Sequence, residues 1–318
     1  MRRSWAYLLA STLGIVTVSQ LTARMGQGSC MHFVGLDLAW GEKKQTGVAA
    51  IDSEGRLLHV GIAQDEESIV DAVSPYVADD CLVAIDAPLV VKNETGYRSA
   101  ETMFNRDFQR FDAGAYPANT ANPLFNPPRG AVLANALGLN MDPASGADRR
   151  AIEVYPHPAC VVLFELEKTL KYKNKQGRSF DERQRELLKL MTLIEGLDHA
   201  SPRLRVNHNM NWVALRKRVE AATRPAQLDR DEDPVDAAMC AYVALYWFHR
   251  PDDVTIYGDF DTGYIVTPSL PSDLSPAPRR RVVPPPNDEL HERLSHLENL
   301  LAQAQLEAKT IREQLYRM

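Results

Sequence analysis

After Met31 the apolar positions fall into three short runs, residues 32–40, 45–51 and 56–63, separated by the turn formers Gly41-Glu42-Lys43 and Ser53-Glu54-Gly55. Runs of that length joined so tightly predict three strands in an antiparallel meander. "DEESIVDAVSPYV" then sets Ile69, Val70 and Val73 on one helical face, and "CLVAIDAP" follows as a continuous apolar run suited to a strand covered on both sides. Residues 97–111 predict a helix, whereas "DAGAYPANTANPLFNPPRG" is too rich in Pro, Asn and Gly to be regular. Such a segment suits a lid or substrate loop, with an exposed insertion as the plainer alternative. "AIEVYPHPA" predicts a further strand ended by Pro156 and Pro158, and residues 160–170, 180–195 and 210–221 predict helices. In "DEDPVDAAMCAYVALYWFHR" Asp233 suits an N-cap and Pro234 the first helical position, and residues 235–248 are almost all apolar or small. This is a core helix packed against the sheet. "VTIYGDFDTGYIVTP" predicts a closing hairpin.

The pattern changes after Pro271. Residues 271–287 form a proline-rich, basic linker with nothing for a core, so the domain spans 31–270. Beyond it Leu290, Leu294, Leu297, Leu301, Ala304, Ala308, Ile311 and Leu315 alternate in steps of four and three. That is a coiled-coil seam over residues 288–318, and it predicts self-association between chains; a helix folding back on the domain is the alternative.

Composition narrows the class. The chain has 318 residues, 45% hydrophobic and 25% charged, an ordinary globular balance with room for a sizeable core. A net charge of −6 gives no whole-molecule field for holding a polyanion, so any nucleic-acid contact must come from a local basic patch or a bound metal. Cys30, Cys81, Cys160 and Cys240 form no C-x-x-C pair and read as small buried hydrophobes in a reducing, cytoplasmic compartment. Residues 1–30 complicate that setting. Arg2 and Arg3 precede an apolar stretch from Trp5 to Val18, too short for a comfortable membrane span, with a poor small-residue cleavage site at Leu21 and Ala23. Two readings stay open, a signal-like leader that exports or anchors the chain, or a start assigned upstream of the real Met31.

The chemistry lies in the acids. Asp37 sits in the first strand between apolar neighbours, Asp86 ends the strand "LVAI", Glu153 lies in "IEVY", and Asp233 and Asp236 open the late apolar helix. A buried carboxylate costs several kcal/mol to desolvate, so a cluster makes physical sense chiefly when a divalent cation opposes it. Each of the other four acids also has a plain structural use: Asp86 in a turn, Asp233 as a cap, Asp236 at a helix dipole, Glu153 in an ion pair. Asp37 has no such use. Arg98, Arg106 and Arg110, and the lysines Lys168, Lys171, Lys173 and Lys175 beside Tyr172, are candidate phosphate contacts or else solvated faces.

Together "GLDLAW", "AIDAPL", "AYPAN", "EVYPHPA", "LKYK" and "DPVDAAMCAYVA" resemble the domain-of-unknown-function family 429, described as predicted nucleases of ribonuclease H-like fold. The resemblance covers residues 31–268. It implies an α/β, ribonuclease H-like mixed sheet with a three-strand antiparallel meander and helices on both faces. It further implies two Mg²⁺ or Mn²⁺ ions about 4 Å apart at a catalytic set of Asp37, Asp86, Glu153 and Asp236, with Asp233 as a further ligand and His157 as a proton shuttle. Nucleic acid is then the expected substrate. Two rivals remain: a non-catalytic module of the same fold, and a phosphotransferase of the actin and hexokinase type. The second lacks its glycine-rich phosphate turn here, since Leu38-Ala39-Trp40-Gly41 follows Asp37.

Overall fold

The computed structural model describes residues 31–39, 44–278 and 287–315. The leader readings for residues 1–30, Cys30 included, lie outside the described residues, as do residues 40–43, residues 279–286 of the linker and the last three residues of the expected coiled-coil segment. The meander forms as its apolar runs dictate: β1 (His32–Asp37), β2 (Thr46–Asp52) and β3 (Leu57–Ala63) pair antiparallel, with Asp37 opposite Gly47. Helix α1 (Glu66–Val77) starts at a capping box between Asp65 and Ser68 and turns its apolar face inward through Ile69, Val73 and Val77. It leads into β4 (Cys81–Ile85), which lies parallel to β1 and is buried along its whole length. Helices α2 (Ser99–Phe108) and α3 (Arg129–Ala136) flank the irregular segment, and β5 (Arg149–Glu153) then adds parallel to β4. The result is a five-stranded mixed sheet in the order β3-β2-β1-β4-β5.

Two predicted helix starts need correction. Helix α4 (Pro156–Leu163) begins at Pro156, where a missing N–H costs nothing, and residues 164–170 are not α-helical, in place of the helix expected over 160–170. After α5 (Phe180–Gly196) and α6 (Met210–Glu220), the core helix α7 (Pro225–His249) starts nine residues before Pro234. Asp233 is therefore no N-cap. Pro225 takes the first-turn position, and Pro234 sits inside the helix, where it cannot donate to the carbonyl of Arg230. Gln45 repairs that defect: its Nε2 donates to Arg230 O at 2.7 Å and to Asp233 Oδ2 at 2.9 Å.

Glycines set how close α7 lies to the sheet. A Cβ on Gly35 would stand 2.0 Å from Ala237 O, and one on Gly47 would stand 2.0 Å from Asp233 O. Strand side chains alternate, so Phe33, Gly35 and Asp37 share the α7 face, where the Phe33 ring meets Phe248 at 5.3 Å. On the opposite face His32 meets Tyr76 of α1 at 5.7 Å. Helices thus cover both faces. The chain closes with a separate hairpin, β6 (Val254–Asp259) and β7 (Gly263–Pro268). Cys81, Cys160 and Cys240 are free and buried.

A second compact unit begins at Pro278 and contains one long helix, α8 (Asn287–Leu315). Among the described residues no helix is long and apolar enough to cross a membrane.

Candidate functional site

Asp37, Asp86 and Glu153 occupy the carboxyl ends of three adjacent parallel strands. Asp37 and Glu153 are the last residues of β1 and β5, and Asp86 follows β4, its backbone N–H donating to Leu36 O at 2.8 Å. Open α/β sheets bind ligands at this edge. A cleft of about 760 Å³ opens there, and its walls include all three acids together with Glu232, Asp233, His157 and Lys173. Helix α7 supplies Asp236 as well, buried and one turn beyond Glu232.

Lys173 stands at the centre of this cluster. Its Nζ lies 2.6 Å from Asp236 Oδ2, 3.2 Å from Asp37 Oδ2, 3.5 Å from Asp233 Oδ1 and 3.7 Å from Glu232 Oε1. The contact with Asp236 is the shortest of these ion pairs. Asp236 Oδ1 accepts from the Tyr172 hydroxyl at 2.6 Å. The segment that presents Lys173 is irregular and is fixed by its carbonyls: Arg183 Nε donates to Tyr172 O and Arg178 Nη1 to Lys173 O, both at 2.9 Å.

One ammonium among several carboxylates leaves surplus negative charge, and the acids respond by holding protons. Burial, opposed by Lys173 and reinforced by the other acids, pushes Glu232 up to about 8 and Asp233 up to about 6. Burial raises Asp37 and Asp236 as well, against the pull of Lys173. Asp86 is raised well above the usual carboxylate range by burial and then by the charges of Asp37 and Asp236. Burial alone would lower Lys173, but Asp236, Asp37, Glu232 and Asp233 more than reverse it, so the ammonium stays charged.

Glu153 is differently held. Arg98 Nη1 donates to its Oε2 at 2.9 Å and Nη2 to its Oε1 at 2.5 Å, while Leu89 N–H donates to Oε2 at 2.9 Å. Arg98 also binds Glu101 and is 2% exposed, so its guanidinium is committed to buried carboxylates. Arg106 and Arg110 are exposed on α2 and the turn after it, outside the cleft walls. Lys171 pairs with Asp112 at 2.8 Å, and Lys168 lies 4.0 Å from the same carboxylate. His157, near the start of α4, stacks on Tyr172 at 5.3 Å. Burial first, then the surrounding cations, lowers its pKa well below the ordinary value, and its buried Nδ1 has no hydrogen-bond partner among the described residues.

Lys44, Lys175, Tyr116 and Glu232 also line the cleft, and sequence reasoning did not single out Lys44, Tyr116 or Glu232. Glu232 was findable: it lies four residues before Asp236, on the same helical face, once the helix is started at Pro225. Hard carboxylate oxygens in this number suit Mg²⁺ or Mn²⁺, although no three Asp, Glu, His or Cys side chains among the described residues already stand in a metal-holding arrangement. The donor chemistry and surplus charge fit a divalent cation, and Lys173 would have to withdraw to admit one. Residues 35–262 match the family described as "Protein of unknown function (DUF429)". No curated protein matches the chain.

Proposed function

This chain belongs to the DUF429 family, and from that premise we propose that it is a divalent-metal-dependent hydrolase of phosphodiester bonds in nucleic acid, built on a ribonuclease H-like domain. The observation that carries the reading is the convergence of Asp37 and Asp86, from two strand ends, on a single cleft, with Asp236 of α7 buried beside them and paired with Lys173, so that the acids bring more negative charge than that ammonium can neutralise. The sheet order, with its antiparallel meander beside two parallel strands, supports the ribonuclease H-like assignment.

Asp37, Asp86 and Asp236, with Asp233 at the edge, would hold Mg²⁺ or Mn²⁺, which supplies an activated water and neutralises phosphate charge. The chain's own groups do the rest. Tyr172 fixes one oxygen of Asp236 and so orients the other into the cluster. Glu153, with both oxygens engaged by Arg98 and Leu89, serves to hold the β4 to α2 connection in place and stays outside the ligand set. Lys44 and Lys175 at the cleft wall can meet phosphate oxygens, while burial and the neighbouring cations keep His157 neutral, so it serves as a hydrogen-bonding group and not as a proton shuttle. The free buried thiols support a reducing, cytoplasmic setting. Self-association through α8 completes the reading, supported by its exposed heptad seam.

Cleavage of single-stranded, duplex, hybrid and branched substrates with and without Mg²⁺ or Mn²⁺ tests it. Cleavage should require the metal, and Asp37→Asn, which removes ligand charge at nearly constant volume, should reduce turnover more than about a hundredfold with the fold intact. Unchanged turnover in that variant overturns the proposal. ATP turnover without cleavage would point to the phosphotransferase class, and absence of Mn²⁺ binding to a non-catalytic module.

A further inference from the structure

Leu290, Leu294, Leu297, Leu301 and Ile311 are 44 to 62% exposed along one face of α8. A single helix gains most of its stability in water from burying such a face, so the stripe calls for a partner. The charges beside it say which. With Leu290, Leu297, Ala304 and Ile311 at d and Leu294, Leu301 and Ala308 at a, Arg293 and Glu307 fall at g, and Glu298 and Arg312 at e. All four of these charged residues are exposed.

In a parallel, in-register pair of helices each g residue faces the e residue five positions on in the other helix. Arg293 then meets Glu298, and Glu307 meets Arg312; two-fold symmetry repeats both contacts. An antiparallel pairing of the same seam sets Glu298 against Gln305, Glu307 against Leu300 and His291 against Arg312, with no opposite charges joined among them. Ala304 and Ala308 lie in consecutive core layers, where small side chains let two backbones approach but leave the wider core of a three- or four-stranded bundle unfilled.

We infer that α8 binds a second copy of this chain as a parallel, in-register, two-stranded coiled coil whose direction is fixed by the Arg293–Glu298 and Glu307–Arg312 pairs. The inference rests on the self-association reading above and is independent of the hydrolase proposal. It is tested with full-length chains by sedimentation equilibrium. The native protein should have twice the chain mass. An acidic variant, Arg293→Glu with Arg312→Glu, and a basic one, Glu298→Arg with Glu307→Arg, should each dimerise at least about tenfold more weakly, while an equimolar mixture recovers native affinity as a heterodimer. Spin labels at Glu292→Cys, in a chain with Cys30→Ser, should lie level across the dimer; an antiparallel pair would set them about 32 Å apart along the axis. A monomeric native chain overturns self-association itself. A dimer with axially displaced labels, a larger oligomer, or two charge variants that each dimerise as tightly as the native chain overturns the parallel two-stranded arrangement while self-association stands.

Discussion

Asp37, Glu232, Asp233 and Asp236 all come within 3.7 Å of the Lys173 ammonium, and a buried cluster of that kind is held by opposing charge before any packing term matters. Lys173→Met removes the central cation at similar volume, so without added metal the variant should lose about 3–5 kcal/mol of stability in denaturant titrations. If the cluster accepts a divalent ion, the same variant no longer has a tethered competitor. Mn²⁺ should then raise its melting temperature more than it raises that of the native protein. An equal or smaller rise would mean that the carboxylates serve Lys173 alone. The contrast with Arg98 is instructive: its planar fork is satisfied by two carboxylates at fixed geometry, whereas the Lys173 ammonium is a point charge on a flexible stem, shared among acids it cannot saturate. Sequence alone makes Lys173 a candidate for phosphate, because a lysine run in a polar segment carries no sign of the acids that fold up around it.

At the scale of elements, the site depends on how closely α7 is laid on β1 and β2. Gly47→Ala would drive a methyl group into the backbone at Asp233, with no flexible side chain to yield, and should cost about 3 kcal/mol, together with a loss of any cleavage activity beyond what the lowered stability explains. Gly61→Ala, in the same meander, meets nothing closer than the His59 ring at 3.4 Å and should leave the denaturation midpoint nearly unchanged. Equal effects of the two changes would remove the helix–sheet approach as the cause. The meander, α1, β4, α5, α6 and the closing hairpin are legible in sequence because their apolar periods are local. The start of α7 is not, since Pro234 reads locally as a first-turn residue and is tolerated inside the helix only because Gln45, far away in the chain, accepts the duty of its missing N–H. Asp37 could be picked out as an acid in mid-strand without a capping role, whereas Asp236 also reads as an ordinary first-turn acid. Glu153 could not be separated from them, because its partner Arg98 comes from a different element and the pairing exists only in three dimensions.

For the whole molecule, the surplus of acids ties stability to pH in a definite direction. Glu232 and Asp233 hold their protons in the folded protein up to about 8 and about 6, above the ordinary values of 4.5 and 3.8 that an unfolded chain would show. The folded state therefore binds more protons than the unfolded state between those limits. The stability these protons confer is complete below the unfolded values and is lost as pH rises through the folded ones. Between about pH 6, where Asp233 has released its proton, and pH 8 the loss should reach up to about 1 kcal/mol per pH unit, because Glu232 keeps its proton in the folded state only, and it should level off above that. Surface repulsion in a chain of net charge −6 also grows with pH, but salt screens exposed charges far more than buried ones. The decline should therefore persist in high salt, flatten in Glu232→Gln, and shrink when Mn²⁺ supplies the opposing charge. A melting temperature that is flat with pH in the native protein, or a slope abolished by salt alone, would place the titrating groups on the surface and detach the pH response from the cleft.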